Sequence, residues 1–147
     1  MLVQKDYEDL LRLLNKHKVR YCIIGAYAVA FYGMPRYTKD MDILVEPSPQ
    51  NAKKIVRALM EFGFKKSGLG EEDFSRKGKI IQLGYEPVRV DIMTSIQGVE
   101  FGKIWKGKTV GRYGKQKIYF VGKSELIKNK KMIGRKQDEI DLKFLSR

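Results

Sequence analysis

Apolar residues recur at helical spacing between Asp6 and Lys16, where Tyr7, Leu10, Leu11 and Leu14 share one face. This pattern predicts an amphipathic helix, with His17 at its C-terminal end. The pattern then changes. Tyr21–Ile24 is a short unbroken apolar run and reads as a buried strand, ending in Gly25-Ala26. The small-residue stretch from Ala26 to Tyr32 suits a helix packed closely on a sheet. After a turn at Gly33 to Pro35 and a polar link, Asp42–Val45 reads as a second strand. Ser48-Pro49 predicts a helix start, with Ser48 as cap and Pro49 at the first position. That helix carries Ile55, Val56, Leu59 and Met60 on its apolar side and stops near Gly63.

The second half is more polar. Ser67 to Lys79 is rich in glycine and charge and reads as a loop. Ile80–Gly84 and Val88–Met93 read as strands around a Tyr85-Glu86-Pro87 turn. Val99 to Trp105 suits a short helix, and Lys108–Arg112 with Lys117–Val121 suits a hairpin about Gly114. Ser124 is the expected cap of a basic helix through Leu126 and Ile127. A last helix is expected from Lys136 to Leu145. Strands and helices alternate without a repeat or a low-complexity linker. The expected class is therefore α/β or α+β, a mixed β-sheet flanked by helices, in one domain over residues 1–147.

Charge sharpens this picture. The 147 residues carry a formal net charge of +13. Residues 101–147 hold 14 Lys and Arg against 4 acids, and the first hundred hold 16 against 13. A basic half of this kind suits a polyanionic partner such as a nucleotide or RNA, and equally a solvated charged surface. The acidic N-terminus argues against a signal peptide, and the longest uncharged stretch is too short to span a bilayer. The single cysteine, Cys22, lies inside an apolar strand. No disulfide can form within the chain, and a cytoplasmic setting without membrane contact is expected.

The candidate chemistry lies in the carboxylates. Asp40 and Asp42 are spaced i, i+2 at the start of a strand, so both face one side of a sheet. Like charges held that close need a cation between them, and magnesium favours carboxylate oxygens. Asp91, inside the apolar run Val90-Asp91-Ile92, is costly to bury unpaired. If its strand lies beside that of Asp42, the three carboxylates could hold two magnesium ions and support phosphoryl transfer. Gly25 either lets the backbone approach a phosphate or simply makes a tight strand-to-helix turn. Arg36 could pair with carboxylate or phosphate, and Thr38 could bond the loop backbone. The lone histidine, His17, reads as a helix-end residue, which leaves no basis for a histidine-dependent hydrolase or a zinc site. Trp105, Tyr113 and Tyr119 lie among lysines and suit either core packing or base stacking.

These residues resemble a known family. Gly25-Ala26, thirteen intervening residues, then Asp40-Met41-Asp42 are similar to the signature of the DNA polymerase β-like nucleotidyltransferase superfamily. The string GAYAVAFYGMPRYTKDMDILV looks like the small prokaryotic nucleotidyltransferases related to the AbiEii-type toxins. Leu126-Ile127, Lys130, Gly134-Arg135, Asp138 and Asp141 resemble that family's closing segment. The resemblance implies a metal-ligand role for Asp40, Asp42 and Asp91. It suggests that Lys130 and Arg135 face the nucleotide, with a salt-bridged helix surface as the alternative for both; Gly25, Ala26, Arg36 and Thr38 complete the nucleotide-binding candidates, with an orienting role favoured for Arg36 and Thr38. The implied reaction moves a nucleoside monophosphate from a nucleoside triphosphate such as ATP to a hydroxyl acceptor. RNA, tRNA, a protein side chain and a small molecule such as an antibiotic all remain open as acceptor. A nucleotide- or RNA-binding module without turnover is the alternative, as is a toxin–antitoxin component that binds an antitoxin protein. The superfamily usually has Gly-Gly or Gly-Ser where this chain has Gly25-Ala26; backbone N–H contacts to phosphate survive that change.

Overall fold

The computed structural model describes residues 4–34, 40–64, 68–85 and 88–146. Among the described residues six strands form one mixed sheet. They are β1 (Tyr21–Ile24), β2 (Asp40–Val45), β3 (Ile80–Tyr85), β4 (Val88–Met93), β5 (Thr109–Tyr113) and β6 (Gln116–Phe120), in the order β3-β4-β2-β1-β6-β5. The two hairpins, β3–β4 and β5–β6, form the wings. At the centre β1 runs antiparallel to β2 and parallel to β6, while β2 runs parallel to β4. The sheet is the mixed α/β arrangement that the alternation of patterns predicts.

Among the described residues six helices accompany it: α1 (Lys5–Lys16), α2 (Gly25–Phe31), α3 (Pro49–Phe62), α4 (Phe101–Lys106), α5 (Lys123–Ile133) and α6 (Lys136–Leu145). Helices α1 and α3 pack on each other, α2 packs on β1 and β2, and α5 pairs with α6. The apolar face of α1 is buried through Leu10, Leu11 and Leu14, which belong to the same core cluster as Ile23, Ile43, Ile55 and Leu59. Helix α3 starts as its sequence signals require. Ser48 Oγ accepts from Asn51 N at 3.2 Å, Pro49 fills the first position, and Gly63 ends the helix. Each cap of this type contributes about 1 kcal/mol. No helix among the described residues is long and apolar enough to cross a membrane.

One local expectation, the Ser124 cap, needs correction. Helix α5 begins at Lys123 with Gly122 as its cap residue, so Ser124 lies in the first turn and does not cap it. A Cβ at Gly122 would strike the Gly107 carbonyl oxygen, so the chain entering the helix lies close against that backbone. The polar segment after α3 is also more anchored than its composition suggests. It contains one 3₁₀ turn at Glu71–Asp73, and Phe74 is completely buried. One large apolar side chain in a polar stretch is enough to pin it, because burying a Phe stabilises by about 2 kcal/mol.

Candidate functional site

Asp40 and Asp42 occupy the first and third positions of β2, so the pleat turns both to one side. The parallel pairing of β2 with β4 sets Asp42 opposite Asp91 and Asp40 opposite Arg89. Arg89 and Asp91 are themselves two apart on β4 and share that side. Residues between them, Met41, Ile43, Val90 and Ile92, point the other way into the core. Alternation of polar and apolar residues over Asp40–Ile43 and along β4 thus gathers three acids and one arginine on one patch of sheet.

The electrostatics of this patch are unfavourable for the bare carboxylates. Asp42 is held near a pKa of about 6, first by burial and then by the neighbouring charges of Asp91 and Asp40. Arg89 and Arg135 act in the opposite direction. Arg89 is the nearest compensation. Its Nε and Nη2 each donate to an Asp91 carboxylate oxygen at 3.3 Å, and Nε lies 3.5 Å from Asp40 Oδ2. Gln82 on β3 adds an amide oxygen turned toward the same guanidinium. The other oxygen of Asp40, Oδ1, is buried and has no hydrogen-bond partner among the described residues.

An orphaned carboxylate oxygen beside two further acids is a donor set that suits a hard divalent cation. Among the described residues no three acidic, His or Cys side chains are gathered tightly enough to form a metal cage as they stand. The Arg89 guanidinium lies between the Asp40 and Asp91 carboxylates instead. The residue types therefore fit magnesium, and Arg89 is the group that would have to yield.

Gly25 opens α2 directly beside this patch. Its φ is +68°, a left-handed value that glycine adopts without strain, and a Cβ there would fall on the Asp42 carboxylate. Ala26 follows as the second residue of the helix. Arg36 and Thr38, both expected near the nucleotide, lie outside the described residues.

The C-terminal cations divide into two kinds. Arg135, in the link between α5 and α6, is largely exposed, and its charge interacts favourably with Asp42. Its Nε also donates to Asp138 Oδ2 at 2.8 Å. Lys130 is different. Its ammonium is buried, 3.1 Å from Asp138 Oδ1 and 2.8 Å from Asp141 Oδ2, and both aspartates are fully buried. The resemblance put Lys130 at the nucleotide; the structure instead ties its ammonium to two carboxylates, which leaves it a role in holding Asp138 and hence Arg135. Burial alone would raise the Asp138 carboxyl, yet hydrogen bonds from Arg135 and Lys130 outweigh it and hold it near about 2.

Elsewhere the candidates resolve into packing. Tyr113 is buried in an aromatic cluster with Tyr7 and Tyr27. Trp105 packs edge-on against Tyr119, with Lys108 Nζ 3.9 Å from the centre of its ring. His17 ends α1 and meets Glu61 at 3.0 Å. Cys22 is buried and its thiol is pushed up to about 12 by that burial. Arg89 is the site residue that sequence reasoning missed. Its signal was available: an arginine two positions before a strand aspartate shares its face.

Comparison with known proteins bears on this arrangement. Residues 3–147 match the family described as "Nucleotidyl transferase of unknown function (DUF2204)". Among solved structures, a candidate nucleotidyltransferase from Thermotoga maritima, TM1012, superposes with a TM-score of 0.65 at 21% identity. The alignment covers 99% of this chain and 96% of that one. The lincosamide antibiotic adenylyltransferase LnuA, in a lincomycin-bound crystal structure, superposes with a TM-score of 0.55 at 17% identity. That alignment covers 99% of this chain and 97% of LnuA. At these identities the likeness establishes a shared fold. No curated protein matches the sequence.

Proposed function

The chain belongs to the family of nucleotidyl transferases of unknown function, and from that premise we propose that it moves a nucleoside monophosphate from a nucleoside triphosphate such as ATP to a hydroxyl acceptor. The observation that carries this reading is the register of Asp42 against Asp91 on parallel strands, with Asp40 on the same face. Asp40, Asp42 and Asp91 would hold magnesium, with three carboxylates enough for two ions. When bound, such ions neutralise phosphate charge and favour the ionised acceptor oxygen. The remaining chemistry falls to the chain's own residues. Gly25, having no Cβ, lets the Asp42 carboxylate lie against the backbone that opens α2, and Arg135 would meet the triphosphate from the solvent side. The acceptor oxygen attacks the α-phosphorus, and the bond from that phosphorus to the bridging oxygen breaks. Pyrophosphate leaves, and the acceptor's proton passes to a carboxylate oxygen of Asp91. Positioning and charge neutralisation suffice for such a reaction.

The spacing from Gly25 to Asp42 supports kinship with the DNA polymerase β-like superfamily, and the closing segment supports a relation to the AbiEii-type toxins. The antitoxin partner implied by that relation rests on resemblance alone. Net positive charge in residues 101–147 favours RNA, tRNA included, as acceptor. LnuA, a lincosamide antibiotic adenylyltransferase of similar fold, makes a small molecule the other acceptor class to test.

The test supplies each α-labelled nucleoside triphosphate with magnesium and either total RNA or a panel of hydroxylated small molecules. Label should appear in one acceptor fraction. Asp42→Asn and Asp91→Asn should each lower transfer at least about a hundredfold, the scale of losing one preorganised charged group. Label in no fraction with the native protein, or transfer unchanged in both variants, would sink the reading.

A further inference from the structure

The arginine at the acid cluster has no place in the reaction as described, and its contacts are specific. Arg89 faces Asp40 across the β2–β4 pairing and sits two residues before Asp91 on the same strand. It grips both Asp91 oxygens at 3.3 Å and reaches Asp40 Oδ2 at 3.5 Å. Tyr7 fixes its backbone from α1, donating to the Arg89 carbonyl at 2.7 Å and accepting from its N–H at 3.1 Å. The guanidinium thus spans the two carboxylates that flank Asp42, on the side of the sheet where a cation would have to enter.

We propose that Arg89 is a resident counter-cation, a positioning residue that holds Asp40 and Asp91 in register while no metal is bound and competes with divalent metal for them. The inference rests on the nucleotidyl-transfer reading. Three reasons carry it. Arg89 takes one lone pair on each Asp91 oxygen and lies beside Asp40 Oδ2, and its positive charge at contact distance opposes a divalent cation brought to the same oxygens. The guanidinium is permanently charged, so it cannot be removed by deprotonation and must move. Its side chain is 31% exposed, against 13% for Asp91, so it has solvent to swing into. Once released it lies beside the triphosphate's entry, where its fork suits phosphate oxygens. Metal and triphosphate then enter together more readily than metal alone, because the phosphates give the displaced arginine a new partner.

The experiment measures Mn2+ binding by electron paramagnetic resonance and calorimetry, with and without a non-hydrolysable triphosphate analogue. The proteins are native, Arg89→Gln, Arg89→Lys and Asp42→Asn. Arg89→Gln should bind Mn2+ alone roughly tenfold tighter than the native protein, since a positive charge within contact distance of the ligands is gone. Arg89→Lys should fall between them. The analogue should tighten Mn2+ binding severalfold more in the native protein than in Arg89→Gln. A destabilised fold would not bind metal more tightly, so the direction separates competition from a merely structural role. Equal or weaker Mn2+ binding in Arg89→Gln, with Asp42→Asn still abolishing it, overturns the role of Arg89 and leaves the metal reading intact. If neither the native protein nor Arg89→Gln binds Mn2+ with or without the analogue, the metal reading fails and the counter-cation role falls with it.

Discussion

Gly25 has two separate reasons for being glycine, and they can be measured apart. Its φ of +68° would cost a residue with a Cβ about 1–2 kcal/mol. The Cβ itself would also collide with the Asp42 carboxylate. Gly25→Ala should therefore lower stability by more than about 2 kcal/mol in urea unfolding and abolish transfer. Adding Asp42→Ala should return the collision share of that loss but not the backbone share, so the double variant should be more stable than additivity requires. Strict additivity of the two substitutions would mean that the residues do not meet. At this scale much of the site was legible in the sequence. Asp40 and Asp42 announce a shared face by their spacing alone, and a glycine at the end of an apolar strand announces a tight turn. Asp91 was legible only conditionally. Its partnership with Asp42 depends on β2 lying beside β4, a contact across almost fifty residues that no local pattern encodes. The partners of Lys130 were hidden for a related reason. A lysine in a basic stretch looks exposed, and only the packing of α6 brings Asp138 and Asp141 to bury it.

At the scale of elements, the clasp between α5 and α6 sets where Arg135 stands. Lys130 binds Asp138 and Asp141 across the two helices, and Asp138 in turn accepts from the Arg135 backbone N–H at 3.1 Å and from its Nε. Three charges leave water together, and such a cluster is strongly destabilised when one partner is lost. Its pH signature has a definite sign. The Asp138 carboxyl is held near about 2, below its ordinary 3.8, so it binds protons less readily folded than unfolded. Its contribution is fully present above about pH 4 and is lost as pH falls toward 2. Urea midpoints measured from pH 7 down to 2.5 should show Asp138→Asn less stable than the native protein at neutral pH, by about 2 kcal/mol. The two should converge at the acid end. A gap that stays constant with pH would show that this carboxyl does not titrate with folding. The helices themselves were readable, because α3 and α6 carry their boundaries in the sequence. Other boundaries shift by a residue or two, as at β2, which starts at Asp40, and α4, which starts at Phe101, and the close approach of Gly122 to the Gly107 carbonyl ahead of α5 has no sequence signature.

Across the whole molecule, charge is distributed in a way that bears on the acceptor. The acid cluster lies on β2 and β4, while residues 101–147 carry 14 of the 30 basic side chains against 4 acids. Some of these cations are already committed: Lys130 is buried in its ion pairs, and Lys108 lies over Trp105. Lys128 and Lys131 on α5 are exposed, one on each side of the stretch that ends in the buried Asn129 and Lys130. A phosphate backbone gripped by such side chains releases counterions, and log affinity falls by about 0.7 per neutralised phosphate for each tenfold rise in salt on a single strand. A small neutral acceptor would show no such dependence. RNA binding should therefore be measurable at low salt and weaken steeply between about 50 and 200 mM salt. Lys128→Glu with Lys131→Glu should reduce RNA affinity and shallow the salt slope by about one to two phosphates' worth. Triphosphate affinity should hardly change, because neither lysine belongs to the acid cluster or its Arg135 rim. Filter binding across a salt series, with triphosphate binding in parallel, makes the comparison. RNA affinity that is absent at low salt, or indifferent to both reversals, would reduce the basic half to a solubilising surface and turn the search for an acceptor toward small molecules.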